Sequence, residues 1–166
     1  MKISCVAIDD EPLALDLLSK FIQQTTFLEL VGKFSNAIEA LGYINQHEVN
    51  LIFMDIQMPD LSGMELARIL DGKKNSAQTR VIFCTDYHQF ALEGYKVEAL
   101  DYLLKPYRYE DFLAAATKAY QYFGRIGTPA QPTSSASQTP SADYIFLKVE
   151  YQLVKVVLKD ITHVEA

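Results

Sequence analysis

An α/β domain with a doubly wound parallel sheet is predicted for residues 1–123, and three observations predict it. Short apolar runs rich in β-branched residues alternate with amphipathic stretches of helical length. The alternation repeats, strand then helix, through to about Phe123, which is the pattern of a parallel sheet with right-handed crossovers and helices on both faces. Acidic residues, a threonine and a lysine recur just beyond the apolar runs, where the ligand crevice of such a sheet lies.

The elements follow in order. Ile3–Ile8 is short, apolar and partly β-branched, and reads as a buried strand. Pro12 suits the first turn of a helix, and Leu13, Leu15, Leu17, Leu18, Phe21 and Ile22 give it a broad apolar face as far as about Gln24. Leu28–Phe34 reads as the second strand, and Asn36 is placed to cap the helix carrying Ile38, Leu41 and Ile44. Leu51–Met54 is the third strand and ends at Asp55; a loop punctuated by Pro59 and Gly63 leads to a short helix over about Met64–Leu70. Arg80–Cys84 is the fourth strand, ending at Thr85. A helix of weaker pattern covers about His88–Tyr95, Ala99–Leu104 holds the fifth strand, and a last helix runs from about Tyr109 to Phe123.

Residues 124–143 hold three of the chain's six prolines, with four serines and three threonines, and read as a flexible linker. Beyond it, Tyr144–Val149 and Gln152–Leu158 read as two strands joined by a turn at Glu150-Tyr151. Two strands are marginal alone, so residues 144–166 are expected to be the opening fragment of a second domain.

Composition narrows the function classes. Of 166 residues, 49% are apolar, enough for a sizeable core, yet no apolar run reaches the ~20 residues of a membrane span. With no signal-peptide pattern at the N-terminus, a cytoplasmic location without membrane contact is expected. Cys5 and Cys84 both lie inside apolar runs and read as small buried hydrophobes. Residues 125–166 hold four acidic and four basic side chains, so the whole net charge of −6 falls on residues 1–124. Neither part has the basic excess of a nucleic-acid footprint.

The residues past the strand ends carry the chemistry: Asp9, Asp10 and Glu11 after the first strand, Asp55 after the third, Thr85 after the fourth, and Lys105-Pro106 after the fifth. Crowded carboxylates repel, and a hard divalent cation such as Mg²⁺ relieves the repulsion, binding one or two carboxylates along with water and phosphate oxygens. That fits Asp10 and Asp55, with Asp9 behind them. One carboxylate can attack phosphorus and become an acyl phosphate, while Lys105 and Thr85 meet the charge on the phosphoryl oxygens. Asp55 suits the nucleophile's part because it stands alone at the end of a central strand. Taken singly, Asp55 reads as a turn residue, Asp9-Asp10-Glu11 as helix-dipole acids, Thr85 as a helix cap and Lys105 as a solvated charge. Their joint occurrence favours the chemical reading.

With these motifs in view, residues 1–123 resemble a receiver domain of bacterial two-component response regulators. The resemblance rests on Ile8-Asp9-Asp10-Glu11-Pro12, Met54-Asp55-Ile56-Gln57-Met58-Pro59 with Ser62-Gly63, Phe83-Cys84-Thr85, and Ala99 to Lys105-Pro106. It implies a flavodoxin-like five-stranded sheet in the order 2-1-3-4-5. It also implies that Asp55 accepts phosphate from the phosphohistidine of a sensor histidine kinase. Asp10, Asp55 and the backbone carbonyl of Gln57 would bind Mg²⁺ with Asp9 supporting, Thr85 and Lys105 would sense the phosphoryl group, and Tyr102 would be the switch aromatic. The Lys105-Pro106 bond is expected to be cis. Homodimerisation through the fourth helix, fifth strand and fifth helix, around Tyr95, Lys96, Tyr102 and Tyr109, is likewise implied. One position departs from the family: Asp86 stands where a small residue is usual, and a modest effect on phosphorylation rate is expected of it.

The tail resembles the start of a LytTR-type (LytR/AlgR-like) DNA-binding domain, present only in part. The intact regulator is expected to bind promoter DNA and control transcription, and residues 144–166 are not expected to suffice. Two other readings differ in class. A Mg²⁺-dependent aspartyl-phosphate phosphohydrolase of the haloacid-dehalogenase type usually carries a second Asp two residues after the nucleophile, and Gln57 stands there. A pseudo-receiver, an interaction module that never takes phosphate, is argued against by the full set Asp10, Asp55, Thr85 and Lys105. A phospho-accepting switch, not an enzyme with turnover, is the expected function.

Overall fold

A computed structural model of the chain describes residues 1–73, 78–86, 97–127, 144–149 and 152–157. Strands β1 (Ile3–Ile8), β2 (Leu28–Phe34), β3 (Leu51–Met54), β4 (Arg80–Thr85) and β5 (Ala99–Leu104) form one sheet in the order β2-β1-β3-β4-β5. Its pairings are all parallel. Helices α1 (Pro12–Gln24), α2 (Ala37–Gln46) and α3 (Gly63–Asp71) and a last helix, Tyr109–Ile126, flank it. The predicted helix over 88–95 lies outside the described residues.

β3 is buried at every position because it is central and covered on both faces, which is why it reads as an unbroken apolar run. Two cores result. One packs α1 and the last helix against the sheet through Leu15, Leu18, Ile22, Phe53 and Phe112; the other packs α2 and α3 through Ala37, Ala40, Met54, Leu66 and Phe83.

Local signals explain the helix ends. The Asn36 side chain accepts from the Glu39 N–H at 2.9 Å, and Ser62 and Glu65 form a reciprocal capping box at the start of α3. In the last helix, Phe112, Ala115, Ala116, Ala119 and Phe123 make the buried stripe, and Glu110 and Asp111 lie in the first turn, where the helix dipole favours them.

Some expectations are corrected. The apolar face of α1 is narrower than expected: Leu15, Leu18 and Ile22 are buried, but Leu13 is 81% and Leu17 42% exposed. At 100° per residue the pair 13/17 forms a second stripe, pointing away from the sheet. In α2, Ile38 is exposed and the buried positions are Ala37 and Ala40, because small residues let that helix approach the sheet closely. The last helix continues past Phe123 to Ile126, where the Gly127 N–H closes it onto Phe123 at 3.0 Å.

The chain divides into two compact units, Met1–Pro129 and Ala130–Ala166. In the second, Tyr144–Val149 and Gln152–Val157 pair antiparallel, with Val149 opposite Gln152. The residues expected to turn between them, 150–151, and most of the expected linker, 128–143, lie outside the described residues. Among the described residues no helix is long and apolar enough to cross a membrane.

Candidate functional site

Parallel register brings the strand ends together. Ile8 pairs with Met54, Met54 with Phe83, and Thr85 with Leu104. Asp9, Asp55, Thr85 and Lys105 therefore meet at the carboxyl edge of the sheet, at the place where the order reverses between β1 and β3. Backbone bonds fix the alignment: Asp55 N–H donates to Ile8 O at 3.0 Å, and Lys105 N–H to Thr85 O at 2.9 Å.

Asp9, Asp55 and Thr85 are buried, at 1%, 7% and 2% exposure, while Asp10 and Gln57 are exposed at the rim. The Lys105 ammonium donates to Asp9 Oδ2 at 2.8 Å and to Asp55 Oδ2 at 3.2 Å, and lies 3.9 Å from Glu11 Oε2. The free oxygens also have roles: Asp9 Oδ1 accepts from the Glu11 N–H at 3.0 Å, and Asp55 Oδ1 from the Gln57 N–H at 3.3 Å. These two short turns aim the carboxylates inward.

Burial pushes the Asp55 carboxyl above its usual range; the charge of Lys105 opposes this and the nearby Asp9 adds to it. Burial would lower Lys105, but its hydrogen bond with Asp9 and the charge of Asp55 outweigh that, and the ammonium is held above its usual value. Asp55 is thus a carboxylate whose charge the folded site does not fully support. Asp55→Asn should raise stability by about 1 kcal/mol at neutral pH without divalent cations. A raised folded pKa means that ionisation costs stability, so the gap between variant and wild type should close as pH falls towards 3.8, Asp55's ordinary value. Thermal melts of both proteins between neutral and acid pH check this; an Asn variant less stable than wild type at neutral pH would contradict it.

One ligand oxygen each from Asp9, Asp10 and Asp55 lies within 4.8 Å of the others, a spacing that could hold a divalent cation. A hard oxygen-only donor set of this kind fits Mg²⁺. Gln57 lines the same cleft as Asp10. The Lys105-Pro106 peptide is cis. Tyr102 stacks on Phe83 with ring centroids 5.4 Å apart, and its hydroxyl is buried without a hydrogen-bond partner among the described residues. Asp86 is exposed and lines a hollow beside Lys105. Of the expected dimer face, Tyr95 and Lys96 lie outside the described residues.

Gly63 is more than loop punctuation. A Cβ there would stand 2.1 Å from the Asp55 carbonyl oxygen, so α3 can begin against the Asp55-Ile56 peptide only because this residue has no side chain. Asp60 takes a left-handed conformation (φ 67°), which Asp tolerates better than most residues, and so turns the intervening loop. Tyr107 lies against Cys84, and burial pushes that thiol up to about 12, leaving it inert.

A sequence profile of the response regulator receiver domain matches residues 5–117. This chain belongs to that family. Residues 5–117 are the receiver domain of a two-component response regulator. Transcriptional regulatory protein BtsR of Escherichia coli is 38% identical over 104 residues, 63% of this chain and 42% of BtsR. Sensory transduction protein LytT of Bacillus cereus is 33% identical over 161 residues, 96% of this chain and 64% of LytT. That match extends beyond the receiver, as expected for a LytTR-type regulator, but the chain spans less than two thirds of either relative. Among solved structures, the response regulatory domain of mrkE from Klebsiella pneumoniae superimposes with a TM-score of 0.69 at 28% identity, covering 74% of this chain and 99% of that one.

Proposed function

We propose that this receiver is a Mg²⁺-dependent phosphorylation switch and that Asp55 takes the phosphoryl group from a phosphohistidine of a sensor histidine kinase. The observation that carries the reading is the buried pair Asp9 and Asp55, bridged by the Lys105 ammonium, with Asp10 at the rim. An Asp55 oxygen attacks phosphorus in line, the phosphorus–nitrogen bond breaks, and the imidazole nitrogen keeps the electron pair. Lys105 turns from Asp55 towards the transferred group, and the Thr85 hydroxyl supplies a second donor. Asp10, Asp55 and the Gln57 carbonyl, with Asp9 supporting, would hold Mg²⁺, which would supply positive charge to the phosphoryl oxygens. Water later attacks the acyl phosphate, the Asp55 oxygen–phosphorus bond breaks and inorganic phosphate leaves, which resets the switch.

The similarity to LytT and BtsR supports a DNA-binding output. Residues 1–123 act as the receiver, 124–143 as a linker and 144–166 as the first part of a LytTR-type DNA-binding domain, through which the intact cytoplasmic regulator controls promoters. Tyr102, whose buried hydroxyl has no hydrogen-bond partner among the described residues, is the aromatic that responds when Thr85 engages phosphate, and a homodimer forms through the face that includes β5 and the last helix. Incubation with acetyl phosphate should add one phosphoryl group by intact mass with Mg²⁺ and none with a chelator. Equal addition under both conditions would refute the metal's part.

A further inference from the structure

The mouth of the acidic site has two walls. On the α3 side a cleft of about 720 Å³ is lined by Asp10, Gln57, Met58, Ser62, Glu65 and Arg68 among others, where Arg68 offsets Glu65 and Asp10 belongs to the acidic cluster itself. On the α1 side a hollow of about 270 Å³ is lined by Glu11, Leu17, Asp86, Lys105, Pro106 and Tyr107, with Ala14. Glu11 and Asp86 are both exposed. Among the described residues Lys105 is the hollow's one lining cation, and its ammonium is already matched by Asp9 at 2.8 Å and Asp55 at 3.2 Å. The hollow therefore carries net negative charge at the border of the reacting carboxylate, although an incoming phosphoryl group is itself an anion. A wall of this sign disfavours every phosphodonor except one that brings positive charge of its own.

We infer that Glu11 and Asp86 are specificity-determining residues that select phosphodonors by the charge of the leaving group, favouring nitrogen-linked donors over acyl phosphates. The inference rests on phosphotransfer to Asp55. With phosphoramidate, the Asp55 oxygen–phosphorus bond forms, the phosphorus–nitrogen bond breaks, and nitrogen, protonated beforehand, leaves with the electron pair as neutral ammonia. With acetyl phosphate the phosphorus–oxygen bond breaks and acetate departs as an anion. The first donor presents a cation to the acidic wall; the second releases a carboxylate against it. A one-charge difference at roughly 6 Å in a water-like dielectric changes a rate by about threefold per carboxylate, and about tenfold for two.

The test is the ratio of phosphorylation rates with phosphoramidate and with acetyl phosphate, each with Mg²⁺, followed by intact mass. Wild type, Asp86→Asn, Glu11→Gln and the double variant are compared at low and high salt. Both positions are exposed and the replacements are isosteric, so melting temperatures should stay within a few degrees. The ratio should fall about threefold in each single variant and about tenfold in the double. At 1 M salt, where screening acts over about 3 Å, the differences should nearly vanish. An unchanged ratio in the double variant, with both donors active on wild type, overturns this inference alone. So does a change insensitive to salt, which would reflect shape. No phosphorylation of wild type by either donor overturns the phosphotransfer reading beneath it.

Discussion

Gly63→Ala should lower stability by about 3 kcal/mol and slow phosphorylation of the remaining folded protein about a hundredfold. The new Cβ would meet the Asp55 carbonyl oxygen at 2.1 Å, and the Asp55 carbonyl carbon and Ile56 Cα at 3.1 Å. All three are backbone atoms, so no side-chain rotation relieves the contact. The Gly63 N–H also donates to Ile56 O at 2.9 Å, tying the start of α3 to the same peptide. Either α3 retreats and breaks that bond, or the Asp55-Ile56 peptide moves and takes the nucleophile with it. A receiver of this size should lose roughly 10 °C in melting temperature. A thermal melt and a phosphorylation time course check the two parts, and a variant melting within 2 °C of wild type would contradict the packing account.

Lys105→Met should cost about 3 kcal/mol at neutral pH in a chelator, because it removes the positive charge between two buried carboxylates. Lys105 has a raised pKa in the folded state, so its contribution is fully present below its ordinary value of 10.5 and is lost only as pH rises through the folded value. Below neutrality the gap should narrow for a different reason. Asp55, already raised by burial and now without its cation, takes up a proton more readily. Millimolar Mg²⁺ should also narrow the gap, since the variant's site, having lost the Lys105 ammonium, binds the cation more tightly than wild type and gains more by mass action. Phosphorylation should stay at least a hundredfold slower even with Mg²⁺, because the ammonium also meets the developing phosphoryl charge. Chemical denaturation with and without Mg²⁺ checks the first claim, and rates with a small-molecule donor check the second. Equal stability of the two proteins in a chelator would show that the bridge contributes nothing.

These effects indicate what the sequence could reveal and what it could not. The strands were legible because buried parallel strands read as unbroken apolar runs, Leu51–Met54 most clearly. Asp9, Asp55, Thr85 and Lys105 were legible because each stands one step past such a run, and a parallel sheet gathers those steps at one edge. The apolar content of α1 was legible but its orientation was not: periodicity marks two leucine stripes and does not say which one the sheet covers. Ile38 misled for a similar reason, since a large apolar residue outranks alanine in any pattern, whereas here Ala37 and Ala40 make the close approach. Gly63 looked like loop punctuation because its constraint is a contact with Asp55, which pattern does not encode. Lys105's hold on Asp9 as well as Asp55 was hidden too, because a lysine's reach depends on where β5 ends in space.

The measurement that bears most directly on the central claim is Mg²⁺-dependent phosphorylation by acetyl phosphate, read by intact mass on wild type and Asp55→Asn side by side. One phosphoryl addition is expected on wild type and none on the variant, which should remain folded and melt slightly higher. Addition to both proteins would place the acceptor elsewhere, and addition to neither, with phosphoramidate failing as well, would make this receiver an interaction module that does not take phosphate.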